Sequence, residues 1–184
     1  MLAWQGGDER AFEALVHEFS GPVYSLLTRF LGQHPGREDM VQDVFLRVVR
    51  SRERYEPRAR FTTWLYRIVY NLAVNETQRG RHHLSLTGTG EDGEETSHDV
   101  VDERAEAPSG RLERESVVEE VRAAIEELPE NQRMALVLAR YHDMPYAEIG
   151  EVLGSSEKAI KSLIHRAREN LRARLDHLIL EELA

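Results

Sequence analysis

Apolar residues recur at helical spacing on both sides of a stretch, residues 82–111, in which that spacing disappears. The interruption sets the organisation of the chain. His82–Ser109 is rich in Gly, Thr, Ser and acid, with Pro108 near its end. Such a composition buries too little apolar surface to offset the entropy of ordering, so it reads as a flexible linker. It divides the 184-residue chain into residues 1–81 and 112–184, each near the lower size limit for an independent domain. No stretch alternates with period two for long enough to suggest a sheet. The expectation is an all-α protein: two small helical domains joined by a flexible acidic linker.

In the first half, Phe12, Leu15, Val16, Phe19, Val23, Leu26, Leu27 and Phe30 share one helical face. Gly21-Pro22 interrupts that helix, because proline removes a backbone donor. Glu38–Arg52 repeats Met40/Val41, Val44/Phe45 and Val48/Val49, and shows Asp39, Gln42, Asp43, Arg47 and Arg50 on its other face. After a loop at Glu53–Arg60, a helix runs from about Thr62 to Arg79. Trp64, Leu65, Ile68, Val69 and Leu72 face inward, while Thr63, Arg67, Tyr70, Asn71, Asn75 and Gln78 face away. The second half reads as helices over Leu112–Leu128, Glu130–His142 and Tyr146–Leu153. Gly154 then suits a left-handed break, and Ser155 or Ser156 can cap a last helix from about Glu157.

The net charge of −9 argues against nucleic acid as a partner, but its distribution argues the other way. Residues 91–106 carry eight acids against Arg104 alone. Phe45–Arg67 carries seven Arg against Glu53 and Glu56, and Ser155–Arg174 carries six basic residues against Glu157 and Glu169. Basic islands matter more for nucleic-acid binding than the total. The absence of cysteine excludes disulfides, thiolate metal sites and a cysteine nucleophile. The longest apolar run, Met134–Ala139, is far short of a bilayer span. No basic-then-apolar segment opens the chain, so a soluble cytoplasmic protein without membrane insertion is expected.

The strongest local signal is Pro145–Arg168: a short helix, a glycine-containing turn and a second helix. Ile149 and Leu153 can pack on Ile160, Leu163, Ile164 and Ala167, leaving Lys158, Lys161, Ser162, His165, Arg168 and Arg172 outward. A helix-turn-helix inserts such a face into the major groove, where Lys and Arg meet phosphates or guanine edges. The bland alternative is a helix pair with a solvated basic face. A second signal is Arg58–Arg79, where Arg58, Arg60 and Arg67 surround Phe61, Trp64, Tyr66 and Tyr70. Cations attract phosphate and aromatic faces stack on unpaired bases, while Asn71 and Asn75 lie one turn apart and can meet base edges. Trp64 taken alone fits the apolar stripe better. Three other patterns carry no weight. Gly88-Thr-Gly90-Glu-Asp-Gly93 has no preceding strand, Glu95-Thr-Ser-His98 has no second metal pair, and His82-His83 has no fixed carboxylate nearby. No catalytic constellation, metal site or cofactor site is visible, and no enzymatic activity is expected.

The order of the pieces resembles the bacterial sigma-seventy family. Gly7-Asp-Glu-Arg-Ala-Phe12, Glu38-Asp-Met-Val-Gln-Asp-Val-Phe-Leu-Arg47 and Phe61-Thr-Thr-Trp-Leu-Tyr-Arg67 look like its region two. Leu128-Pro-Glu-Asn-Gln-Arg133, Tyr146-Ala-Glu-Ile-Gly150 and Lys161-Ser-Leu-Ile-His-Arg-Ala-Arg168 look like its region four. Only a linker lies between, a layout similar to the extracytoplasmic-function (ECF) group. The resemblance implies a dissociable subunit that directs core RNA polymerase to a promoter subset. It implies that Asp39, Gln42, Asp43 and Arg47 dock on the clamp coiled coil of the largest core subunit, and that region four sits at the flap. It places Arg58, Arg60 and Phe61 in the loop that captures a flipped minus-ten base, adds Trp64 to the minus-ten contacts, and sets Arg67, Asn71 and Asn75 along the strand-opening helix. It assigns Arg133, Lys158, Lys161, Ser162, His165, Arg166 and Arg168 to the minus-thirty-five element. An anti-sigma protein is a further implied partner, and the linker acids are expected to mimic nucleic acid near the RNA path. Lys158 and Leu163 replace a frequent Gly and a frequent Arg, which bears on promoter sequence. Two rival classes remain: a stand-alone helix-turn-helix repressor or activator, and a helical carboxylate metalloenzyme lacking its paired Glu-x-x-His motifs.

Overall fold

A computed structural model describes the backbone of residues 1–86 and 108–181, and the side chains of 1–80 and 115–178. Residues 87–107, with the Gly88–Gly93 and Glu95–His98 patterns, lie outside the described residues; the ends of the expected linker, 82–86 with His82-His83 and 108–111, are helical instead. The fold is all-α, in two helical clusters. The first holds α1 (Leu2–Gln5), α2 (Glu9–Leu31), α3 (Arg37–Arg50) and α4 (Phe61–Leu86), with a 3-10 turn at Arg52–Arg54. The second holds α5 (Pro108–Glu126), α6 (Glu130–Tyr141), α7 (Tyr146–Leu153) and α8 (Glu157–Glu181).

Local chemistry explains most boundaries. Asp8 caps α2 by accepting the Arg10 N–H at 3.1 Å. On α3, Glu38 and Asp39 occupy the first turn and Arg47 and Arg50 the last, each sign matched to the helix dipole. The expected break at Gly21-Pro22 does not occur, and α2 continues through Pro22. The carbonyl that proline leaves without a donor belongs to Glu18, one helical turn back on the exposed side, while Phe19, Val23 and Leu26 stay in phase on the buried side. Helix α4 runs past Arg79 to Leu86, and α5 starts at Pro108, a residue suited to a helix first turn.

One apolar core runs through both clusters. Val23, Leu26, Leu27, Phe30, Val44 and Leu65 join Met134, Leu138, Ile149, Ile160 and Ile164 in a single set of buried residues. Helix α6 lies at its centre, with every residue from Gln132 to Leu138 buried, because α2, α7 and α8 all pack on it. A helix apolar on most faces must be surrounded, which accounts for the run Met134–Ala139.

Candidate nucleic-acid and polymerase-binding faces

The turn between α7 and α8 is built as the sequence indicates. Gly154 takes a left-handed conformation (φ 64°), the Ser155 N–H donates to the Gly150 carbonyl at 2.8 Å, and Ser156 Oγ accepts the Ala159 N–H at 3.2 Å. Gly150, not singled out by sequence reasoning for this reason, is required here: a Cβ on it would lie 2.6 Å from the Ser155 carbonyl oxygen. Ile149, Val152, Ile160 and Ile164 join one core between the helices, while Ala167 packs with Leu128 and Leu136. Lys158, Lys161, His165, Arg166 and Arg168 are exposed and Ser162 is half-buried. Three of them have short-range partners on α8 itself. Lys161 Nζ lies 2.7 Å from Glu157 Oε1, which raises the lysine pKa through the hydrogen bond. His165 Nε2 lies 3.3 Å from Glu169 Oε1, and Arg166 donates to Ser162 Oγ at 3.0 Å. These are exposed contacts, worth little in water, and a phosphate can replace the Glu157 carboxylate on Lys161.

Helix α3 presents a second face. Asp39, Gln42 and Asp43 are exposed and Arg47 is half-buried, while Met40, Val44, Phe45 and Val48 are in the core. Leu46 and Val49 are 49% and 41% exposed. With Gln42 they fall at i, i+4 and i+7, a single stripe. The stripe was not legible from periodicity, which places Val49 inside.

The third face surrounds α4. Arg58 pairs with Glu56 at 2.6 Å at the rim of an open cleft, while Arg67, Asn71 and Asn75 are exposed. Phe61 and Trp64 are half-buried in an aromatic cluster with Phe19 and Tyr55. Both rings pack in this cluster, and Trp64 also lines the open cleft.

The other edge of α4 is covered by the second cluster. Thr63, expected on the solvent side, is 3% exposed and donates to Glu148 Oε2 of α7 at 3.0 Å, whose Oε1 lies 3.3 Å from Arg60 Nη1. Tyr70 donates to Asn131 Oδ1 at 2.5 Å and Thr77 to Glu130 Oε1 at 2.7 Å. Tyr66 Oη and His142 Nδ1 lie 3.0 Å apart. Burial, then the Arg29 guanidinium, depress the His142 pKa against the pull of Asp143. The unfolded chain therefore binds a proton on this imidazole that the folded chain resists. Stability should fall as pH drops from about 6.5 toward the lower folded pKa, by at most about 1.4 kcal/mol per pH unit. Urea titrations at pH 7 and 5.5 should show this loss in the wild type and a smaller one in His142→Gln.

The sequence profile described as Sigma-70 region 2 matches residues 15–82, and that described as Sigma-70, region 4 matches residues 118–171. The chain is 32% identical to the RNA polymerase sigma-H factor of Pseudomonas aeruginosa, over 96% of this chain and 92% of that one. It is 31% identical to the ECF RNA polymerase sigma-E factor of Escherichia coli, over 95% and 92%. The chain belongs to the ECF group of the sigma-70 family. Among solved structures, CnrH in complex with the cytosolic domain of CnrY is 26% identical with a TM-score of 0.66, covering 94% of this chain and 92% of that one. The fold is shared with sigma factor RpoE in complex with the anti-sigma factor NepR from Bartonella quintana, at 19% identity and TM-score 0.71, covering 91% and 98%.

For this sigma factor one expected DNA-binding residue needs correction. Arg133 is not on the α8 face. It is 8% exposed, donates to the carbonyls of Phe30 at 2.6 Å and Leu128 at 3.1 Å, and also to that of Glu126. Both of its terminal nitrogens donate to backbone at the junction of α2, α5 and α6. Among the described residues, no group of three or more His, Asp or Glu is placed to hold a metal ion, and no helix is long and apolar enough to cross a membrane.

Proposed function

We propose that this ECF sigma factor directs core RNA polymerase to a promoter subset and helps open the minus-ten DNA, with no cofactor. Asp39, Gln42, Asp43 and Arg47, with Leu46 and Val49 beside them, dock on the clamp. Arg58 and the cleft behind it hold a flipped base, and Arg67, Asn71 and Asn75 track the separated strand. Lys158, Lys161, Ser162, His165, Arg166 and Arg168 read the minus-thirty-five element while region four rests on the flap. Capturing an unstacked base selects sequence and stabilises open DNA together, so no hydrolysis is needed. The observation that carries this reading is the mixed polar and apolar stripe on α3. A regulator that only bound DNA would have no use for it.

The compact fold also fits control by an inhibitor. The relatives RpoE and CnrH were each solved in a complex, RpoE with the anti-sigma factor NepR, and an inhibitor that holds the two clusters together would keep both promoter faces from acting at once.

The test is run-off transcription with purified core polymerase on fragments of the protein's own genome. Discrete start sites that appear only with the protein are the expected result, and aligning them gives both elements. Failure to bind core would overturn the reading and restore the stand-alone helix-turn-helix regulator.

A further inference from the structure

Helix α1 has four residues, too few for a helix to hold itself together in water. It is nevertheless pinned. Trp4 is 3% exposed, its ring stacks on Phe12 with centroids 4.5 Å apart, and its indole N–H donates to Glu9 Oε2 at 3.1 Å.

The long-range polar contacts of α1 converge on one place, the turn at 52–55. Arg52 donates to the Trp4 carbonyl at 2.6 Å, lies over the Trp4 ring at 4.7 Å and pairs with Glu9 at 2.8 Å. The Trp4 hydrogen bond and then Arg52 lower the Glu9 pKa, so the carboxylate stays charged against both. The Gln5 amide donates to the carbonyls of Glu53 at 3.4 Å and Tyr55 at 3.2 Å. Glu53 lies in the short 3-10 turn and Tyr55 caps it, so the amide restrains a segment that no α-helical ladder holds.

That turn leads directly into the candidate base-capture loop. Tyr55 is buried, edge-on to Trp64 at 4.9 Å. Beyond it, Arg58 and Ala59 join Arg54, Trp64 and Arg67 around an open cleft of about 380 Å³, which Glu151 of α7 closes on the far side, so the loop and α4 are the walls that remain when the two clusters part. The chain thus passes from a segment fixed by α1 to the wall of the cleft within three residues. A loop that must receive one unstacked base gains selectivity from being ordered beforehand, since a loose wall accommodates any base.

We propose that α1 is a clasp that fixes the shape of this loop, which makes Gln5 and Trp4 positioning residues for minus-ten selection. The proposal rests on the sigma reading above. Gln5→Ala in the full chain is the informative variant, because it removes the clasp's amide and leaves the Trp4 anchor in place.

Two measurements test it. In hydrogen exchange on the free protein, Gln5→Ala should speed exchange of residues 53–60 by about fivefold or more, with α3 and α8 unchanged. In initiation from promoters that differ only at the captured minus-ten base, the variant should lose about fivefold of the wild-type preference. Its affinity for core polymerase should stay within about twofold of the wild type. Unchanged exchange would remove the clasp. Faster exchange with an intact base preference would remove the positioning role, and a parallel loss of core affinity would reduce the effect to a general folding defect. Wild-type protein that starts no transcription would instead overturn the sigma reading, which is distinguishable because the exchange measurement needs no polymerase.

Discussion

Linking the two clusters covalently should suppress promoter-directed initiation by about a hundredfold or more, and cleaving the link should restore it. The site for the link is where Tyr70 of α4 meets Asn131 of α6 across the junction. The chain has no cysteine, so Tyr70→Cys with Asn131→Cys gives one thiol pair for a short cleavable crosslinker. The expectation follows from size. A compact chain of this length has a radius of gyration of about 16 Å and a diameter on the order of 40 Å. The minus-ten and minus-thirty-five elements, as their names state, lie about 25 base pairs apart, roughly 85 Å along B-form DNA. On the proposed assignment of one element to each cluster, the two cannot engage both elements while they share one core. The covalent chain between Leu86 and Pro108 allows a separation of up to about 75 Å, enough for each cluster to reach its own element. Separation also frees Arg60 and Thr63 from Glu148. The uncrosslinked double variant is the control for the lost Tyr70 contact. Full activity in the crosslinked protein would show that the clusters need not part, and would sink the assignment of one promoter element to each.

Much of the architecture was legible because it is written locally. The α7–turn–α8 unit needs only a glycine at the break, a serine at the cap and isoleucines at helical spacing, all within about twenty residues of sequence. The basic face of α8 follows from that register. Pro22 misled because the rule against proline inside a helix assumes that the abandoned carbonyl is buried; here it meets water, and the apolar phase across it prevails. The Val48/Val49 pair misled for another reason. A stripe two residues wide can be drawn along α3, but packing against α2 and α4 covers only the Met40–Val44–Val48 side with Phe45, and Val49 falls outside it.

The junction between the clusters left no local signal. Thr63, Tyr70, Asn131 and His142 are residue types at home on a surface, and each finds its partner more than sixty residues away in the chain. A single sequence read by periodicity assigns such residues to solvent. The same blindness moved Arg133 to the DNA face, because an arginine in the motif Leu128-Pro-Glu-Asn-Gln-Arg133 offers no hint that its acceptors include a carbonyl 103 residues earlier. Gln5 was missed for the opposite reason. It belongs to a helix too short to show any periodicity, and its role lies in carbonyls it holds elsewhere.

Arg133→Met should destabilise the folded chain by about 2–4 kcal/mol while sparing the exposed face of α8. The guanidinium satisfies backbone acceptors from three segments: Phe30 at the end of α2, Glu126 at the end of α5, and Leu128 before α6. It also lies 5.3 Å from the Phe30 ring centroid. Methionine preserves much of the apolar stem but donates nothing. An acceptor left unpaired in a buried site costs about 1–3 kcal/mol, and the carbonyl nearest solvent recovers part of that loss through water. The sum is set by the most enclosed acceptors, Phe30 and Leu128. Urea denaturation should therefore show a clear drop in midpoint with little change in slope. Binding of a duplex carrying only the minus-thirty-five element, measured well below the midpoint, should stay close to the wild type. Lys161→Ala should give the reverse pattern: weaker duplex binding, a shallower dependence on salt by about one phosphate contact, and stability nearly unchanged. An Arg133 variant that kept its stability and lost duplex affinity would return this residue to the DNA face. The opposite outcome fixes it as the tie that seats α6 against α2.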